Sequence, residues 1–195
     1  QGNFIGLDPS GSIDLGNSQY GVRVEQSNNV IGGTTPEARN VISGNNVHGV
    51  LLTGSAATGN VVQGNFIGTN AAGTGALANS ASGVAASAGA SNNTIGGTAS
   101  GAGNVLSGNS GSGVYLIQAP ANQVLGNLIG TQVDGASPLG NNSVGVAIID
   151  TSNNTIGGTA SGAGNTIAFN GNDGVFVMFA QSGTGNAILG NRIFS

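Results

Sequence analysis

Asn60-Val61-Val62-Gln63-Gly64-Asn65-Phe66-Ile67-Gly68 contains two copies of one short pattern: an asparagine, a variable residue, an aliphatic residue and then a turn. The second half of that stretch recurs along the chain. Gly-Asn-x-Ile falls at Asn3, Asn65, Asn127 (with Leu128 before Ile129) and Asn191, in steps of 62, 62 and 64 residues. A second phrase, Asn-x-Ile-Gly-Gly-Thr, begins at Asn29, Asn93 and Asn154, and each leads through a short loop to a further copy at Asn40, Asn104 and Asn165. A third, Gly-Val, starts at Gly21, Gly49, Gly83, Gly113, Gly145 and Gly174. Self-similarity at a fixed period decides architecture before local propensity does. The chain therefore reads as one domain over 1–195, divided into repeats at 1–63, 64–125 and 126–189 with a terminal strand at 190–195. Each long repeat holds two shorter units, one per Gly-Val.

The period of the apolar residues says what each unit is. Glycine and β-branched residues dominate, and no stretch keeps apolar residues at the three-and-four spacing of a helix. In Gly49-Val50-Leu51-Leu52-Thr53, Val50 and Leu52 share a face, as residues two apart do in a strand. Each unit then supplies three short strands separated by bends. With no helix between units, the chain winds as a coil that climbs one strand spacing, about 4.8 Å, per turn. The expected fold is an all-β, single-stranded parallel β-helix of about six coils.

Three inward stacks are expected. One holds Val22, Val50, Val84, Val114, Val146 and Val175; the next Ile31, Val62, Ile95, Val124, Ile156 and Ile188; the last Ile5, Ile42, Ile67, Leu106, Ile129, Ile167 and Ile193. The asparagines at the bends, Asn3, Asn65, Asn127 and Asn191 with Asn29, Asn93 and Asn154, are expected to stack as hydrogen-bonded ladders. The triplets starting at Asn92, Asn141 and Asn153 also match the glycosylation pattern, but the ladder explains the repeats that lack it. Long loops after Ile5, Ile67 and Ile129 carry Leu15, Leu77 and Leu139, each expected to fold back over the outward Phe4, Phe66 or Leu128.

Composition narrows the function classes. Charged residues make up 5% of the chain, lysine is absent and the net charge is -4, whereas about a quarter of an ordinary globular domain is charged. With no basic surface, nucleic acid is not an expected partner. No apolar run approaches the roughly 20 residues of a membrane-crossing helix, so membrane insertion is not expected. There is no cysteine for a disulfide framework, and no residue pattern calls for a cofactor or metal.

The phrases Asn-x-Ile-Gly-Gly-Thr, Asn-Val-Ile-Ser-Gly-Asn and Gly-Asn-Phe-Ile-Gly-Thr resemble the right-handed parallel β-helix repeats of large bacterial secreted and cell-surface proteins, related in fold to pectate lyases. The resemblance covers essentially the whole chain. It implies right-handed winding and a secreted or cell-surface location. It does not choose a function, because that fold carries lyases, hydrolases, epimerases, adhesins and inert stalks.

Two places invite a functional reading. Near the N-terminal end, Tyr20, Arg23, Glu25 and His48 could abstract a proton beside a uronate that the arginine neutralises; an ordinary surface with Arg23 paired to Glu25 is the plainer account. On the outward face of the Gly-Val strands, Tyr115, Ile117, Ile149, Phe176 and Met178 would form an apolar interface patch, unless a loop at Ala119–Asn122 or Ala180–Gly185 covers it. Both ends of the chain fall in mid-pattern, which suits a segment of a longer array or a subunit that stacks. The expected role is a non-enzymatic stalk, adhesin segment or filament subunit that contacts copies of itself or neighbouring domains. Binding, cleavage or epimerisation of a polysaccharide is the alternative.

Overall fold

The computed structural model of the protein describes residues 1–179 and 183–195. Among these the chain forms a parallel β-solenoid with no α-helix; a short 3-10 turn at Pro36–Ala38 is the one helical element. Three parallel sheets of six, six and seven strands run along its length, and neighbours within a sheet come from successive turns of the coil. The Gly-Val sheet comprises Val22–Val24, Val50–Thr53, Val84–Ser87, Val114–Ile117, Val146–Ile149 and Val175–Met178. A second sheet comprises Val30–Gly32, Val61–Gln63, Thr94–Gly96, Gln123–Leu125, Thr155–Gly157 and Ala187–Leu189. The third begins at Phe4–Ile5 and ends at Arg192–Phe194, with Val41–Ile42, Phe66–Ile67, Val105–Leu106, Leu128–Ile129 and Thr166–Ala168 between them.

Register places like on like. Val84 lies between Val50 and Val114, Ile95 between Val62 and Val124, and Ile67 between Ile42 and Leu106. The expected stacks meet in one continuous core, with Ile42, Val50, Val62, Ile67, Ile95, Leu106, Val114, Ile129 and Ile156 sealed from solvent, whereas Ile188 and Ile193 keep the register on the last turn but are 44% and 49% exposed, since no further turn lies over them. Each such side chain contributes about 1.5–3 kcal/mol of burial before chain entropy is set against it. A two-residue strand can persist here because it is paired on both sides and faces that core.

Asparagine rows close the corners between the sheets. In one row Asn3, Asn40, Asn65, Asn104, Asn127 and Asn165 each donate from Nδ2 to Oδ1 of the next member, ending on Asn191, at 2.8–3.0 Å. A second row runs Asn29, Asn60, Asn93, Asn122, Asn154 and Asn186; only its Asn122–Asn154 link rests on the backbone N–H alone, because the Asn122 amide turns to the Ala90, Ala119 and Pro120 carbonyls. A third row, Asn17, Asn45, Asn79, Asn109, Asn141 and Asn170, was not among the expected ladders, although Asn45 ends the Asn-Val-Ile-Ser-Gly-Asn phrase and Asn17, Asn79 and Asn141 follow the loop leucines by two. All amides point the same way, so the dipoles of each row add head to tail and each bond polarises the next. Asn92 and Asn153 are not ladder members. They sit exposed in left-handed turns at φ +55° and +60°, and their neighbours Asn93 and Asn154 take the buried places.

Glycine is required where a ladder oxygen crowds the backbone. Gly96 has φ +93°, and a Cβ there would lie 1.9 Å from the Leu125 carbonyl oxygen and 2.6 Å from Asn127 Oδ1.

The long loops do fold back, through the antiparallel bridges Leu7–Asp14, Thr69–Ala76 and Thr131–Pro138. The residue over each outward ring or side chain is nevertheless a glycine, not the leucine. Gly11, Gly73 and Gly135 lie at the loop tips, where a Cβ would come within 3.1, 2.8 and 3.2 Å of Phe4, Phe66 and Leu128. Leu77 packs into the cluster of Leu7, Val41, Phe66 and Val105, but Leu15 is 66% exposed. The backbone hugs the sheet too closely for a bulky side chain to enter between them. Successive loops also join, Ala71 N–H to the Gly11 carbonyl and Val133 N–H to the Gly73 carbonyl. This belt screens the outward side of the third sheet around Phe66 and Val105.

Candidate functional site

The Gly-Val sheet is preceded at each turn by a bend whose last residue stands beside its counterpart one turn away. That column reads Tyr20, His48, Ser82, Ser112, Val144 and Asp173, tied by backbone bonds from each following glycine to the next member's carbonyl. It begins aromatic, passes through serines and ends on a carboxylate. The outward strand positions two residues past each glycine follow the same register: Leu51, Ala85, Tyr115, Ala147 and Phe176.

At the N-terminal end, Tyr20 and His48 stack with ring centroids 6.0 Å apart and planes 7° from parallel. Arg23 and Glu25 form an ion pair along their strand, both side chains more than half exposed. The four expected residues thus form two pairs, Tyr20 with His48 and Arg23 with Glu25. His48 Nδ1 accepts the Ser82 backbone N–H at 3.1 Å, so the neutral ring carries its proton on Nε2 and offers a donor there, not a base. Partial burial, which disfavours the charged ring, holds its pKa below the usual histidine value. As placed, the ring can donate a hydrogen bond but has no free lone pair to take a substrate proton.

Other charged groups are also engaged in the fold. The Asp8 carboxylate accepts Ser10 Oγ–H and the amides of Ser10, Ser12 and Ile13. Asp134 accepts Ser137 Oγ–H and the amides of Ala136 and Ser137. These bonds, led in each case by the serine hydroxyl, hold both carboxyls below the ordinary aspartate range. The Arg39 guanidinium lies 4.0 Å from the centre of the Phe66 ring.

Toward the C-terminal end the outward face is different. Tyr115 and Phe176 flank Ala147 in one column, and Ile117, Ile149 and Met178 form the next. Val144, Ala147 and Ile149 make an outer apolar cluster with Tyr115 and Ile117 against it, while Phe176 and Met178 are 38% and 44% exposed. Tyr115, Ala147, Ile149 and Phe176 border an open groove of about 520 Å³, closed along its other side by Ser112, Ser143, Asn172 and Asp173. The segment Ala119–Asn122 does not cover this face, since Ala119 is in the inner core and Asn122 is a ladder member. Of the other loop considered as a cover, residues 180–182 lie outside the described residues. Sequence reasoning found the aromatic and aliphatic side of the groove and missed its polar rim. The signal is the pair of residues before each Gly-Val: Ser112, then Ser143 with the apolar Val144, then Asn172 with Asp173.

These three parallel sheets with stacked asparagines at the corners define a parallel β-solenoid. Among solved structures the chain is similar to that of a mutant of the periplasmic alginate epimerase AlgG, with a TM-score of 0.55 and 14% sequence identity. The match covers 89% of this chain and 36% of that one, so the chain spans about a third of the epimerase. No family model matches the sequence, and no curated protein matches it. At that identity the likeness shows the fold alone.

Proposed function

We propose that the chain is a structural β-solenoid module of a secreted or cell-surface protein, without catalytic activity, and that the outward Gly-Val face is its contact surface. The observation that carries this reading is the apolar column on that face, from Tyr115 across the buried Ala147 to Phe176, which with Met178 is exposed on the last strand. A contiguous apolar patch on an otherwise uncharged surface marks a place of contact. The partners that suit it are a second copy, a neighbouring segment of the same protein or a carbohydrate. The secreted setting is supported by the sparse charge of the chain and by the periplasmic origin of its structural neighbour. Cleavage of a polyuronate is less well supported, because His48 presents a donor where a base is needed.

Sedimentation velocity over a wide concentration range tests the contact surface, with Phe176→Asp and Met178→Asp as variants. Self-association lost in the variants supports it; a wild-type chain that stays monomeric and binds no carbohydrate refutes it. Turnover of a polyuronate that disappears in His48→Ala would instead favour a lyase.

A further inference from the structure

We propose that His48 is a pH-operated latch: its neutral ring ties the corner at 45–49 to the next turn at Ser82, and protonation releases it. This is independent of the contact surface, which uses other residues.

The bond between the two turns suits one protonation state. His48 Nδ1 accepts the Ser82 backbone N–H at 3.1 Å, and an imidazolium, with protons on both nitrogens, has no lone pair to offer. In acid two N–H groups would face each other across the bend, so the ring has to turn away. Ser82 is buried, and its N–H then loses its acceptor where water has little access. Tyr20 stacks on the same ring, centroids 6.0 Å apart and planes 7° from parallel, so it loses its support when the ring moves. The next turn shows that this corner needs an acceptor but not a histidine. There Ser82 Oγ accepts the Ser112 backbone N–H at 3.4 Å. The two bonds hold equivalent places, and only the one made by His48 can be broken by a proton near neutral pH.

The titratable groups on the elements around the ring are few. Tyr20 stacks on it, and Arg23 and Glu25, on the strand that follows Tyr20, are paired with each other. Asp14, in the loop before that strand, lies against Gly44 and accepts the Gly16 N–H. The strand after His48, Val50–Thr53, carries no titratable side chain, nor do Ser82 and Ser112, and Asp173 stands four turns further along the column. Burial disfavours the charged ring and holds its pKa below the usual histidine value, so the latch is shut at neutral pH and opens as pH falls through that lowered value. The aliphatic core and the asparagine rows do not titrate there. Mild acid therefore loosens this corner while the rest of the solenoid holds.

The test is amide exchange at Ser82, corrected for intrinsic rates, measured across the His48 titration that NMR follows in the same samples. Protection at Ser82 should fall about tenfold, the scale of one lost buried hydrogen bond, with a midpoint that coincides with that of the ring. The Asn60 backbone N–H, held by the uncharged Asn93 Oδ1, should keep its protection over the same range. His48→Ser retains an acceptor that does not titrate, so Ser82 should stay protected and lose its pH dependence. His48→Leu retains bulk without an acceptor, so Ser82 should be poorly protected at every pH. Wild-type protection at Ser82 that ignores the ring's titration overturns the proposal. So does protection that still follows pH in His48→Ser, or that equals wild type at neutral pH in His48→Leu. The wild-type measurement decides even where a variant fails to fold.

Discussion

Replacing Asn104 by alanine is the perturbation that most directly tests how the solenoid is held together. Its Oδ1 accepts the backbone N–H and the side-chain Nδ2–H of Asn65, each at 3.0 Å, and its Nδ2 donates to the Val62 carbonyl at 2.8 Å and Asn127 Oδ1 at 2.9 Å. The site is sealed: Asn65 and Asn104 are 0% and 1% exposed. Asn104→Ala takes this partner from the buried Asn65 backbone N–H and from the Val62 carbonyl, while the Asn65 amide keeps the Ile31 and Gln63 carbonyls. A buried donor without a partner costs about 1–3 kcal/mol. Asn127 Oδ1 keeps one bond, from the Asn104 backbone N–H at 3.0 Å, so it adds little. The expected loss is about 2–4 kcal/mol, a large share of the roughly 5–15 kcal/mol that holds a typical domain. Asn3→Ala is the internal control. Asn3 is exposed and donates to the Gln1 carbonyl and to Asn40 Oδ1, which retains the Asn3 backbone N–H. Its loss is expected to cost no more than about 1 kcal/mol, because water replaces the missing partner. Urea unfolding followed by circular dichroism measures both. Amide exchange at Asn65 shows whether damage is confined to adjoining turns, as the nearest-neighbour energetics of a solenoid predict. Equal costs for the two substitutions, or a cost below about 1 kcal/mol for Asn104→Ala, would mean that the rows are passengers on the aliphatic core.

Gly96→Ala should destabilise more than an ordinary glycine change, by upwards of about 2 kcal/mol, because the new methyl meets the Leu125 carbonyl oxygen in a left-handed turn; a thermal midpoint equal to wild type would contradict the crowding. The long loops should respond differently to acid. Asp8 and Asp134 have lowered pKa values in the fold, so the ordering they supply is complete above the unfolded aspartate pKa of about 3.9 and fades as pH falls through their lower folded values. Exchange protection, corrected for intrinsic rates, should drop there at Ser12, Ile13 and Ser137, and hold at Thr74 and Gly75, whose partner is the uncharged Asn70 Oδ1. The His48 ring should titrate below 6.5 by NMR, since burial disfavours the charged form. The unfolded chain then binds the proton first, and stability declines as pH falls through that interval. A midpoint at or above 6.5 would refute the burial argument.

The sequence by itself determined the winding. Val50, Val62 and Ile67 recur with their counterparts at steps that admit only a coil with strands in register, and the asparagines mark its corners, because a parallel ladder places equivalent residues directly above one another. The repeat thus carries both core and ladder without any long-range information. What it could not carry were distances across the bends. The close approach of Gly73 to Phe66, beside a Leu77 packed into the same cluster, follows from how closely a loop backbone lies on the sheet, and pattern alone does not encode that separation. The stacking of His48 on Tyr20, with its Nδ1 committed to Ser82, likewise needed coordinates. The groove shows the same division. Tyr115 and Phe176 were legible as outward apolar residues, but their joining with Ser112, Ser143, Asn172 and Asp173 around one cavity depends on the bend that turns those residues beside the strand. Register is a one-dimensional property that a periodic chain writes into itself, whereas the depth and rim of a surface are set by three-dimensional curvature at the corners.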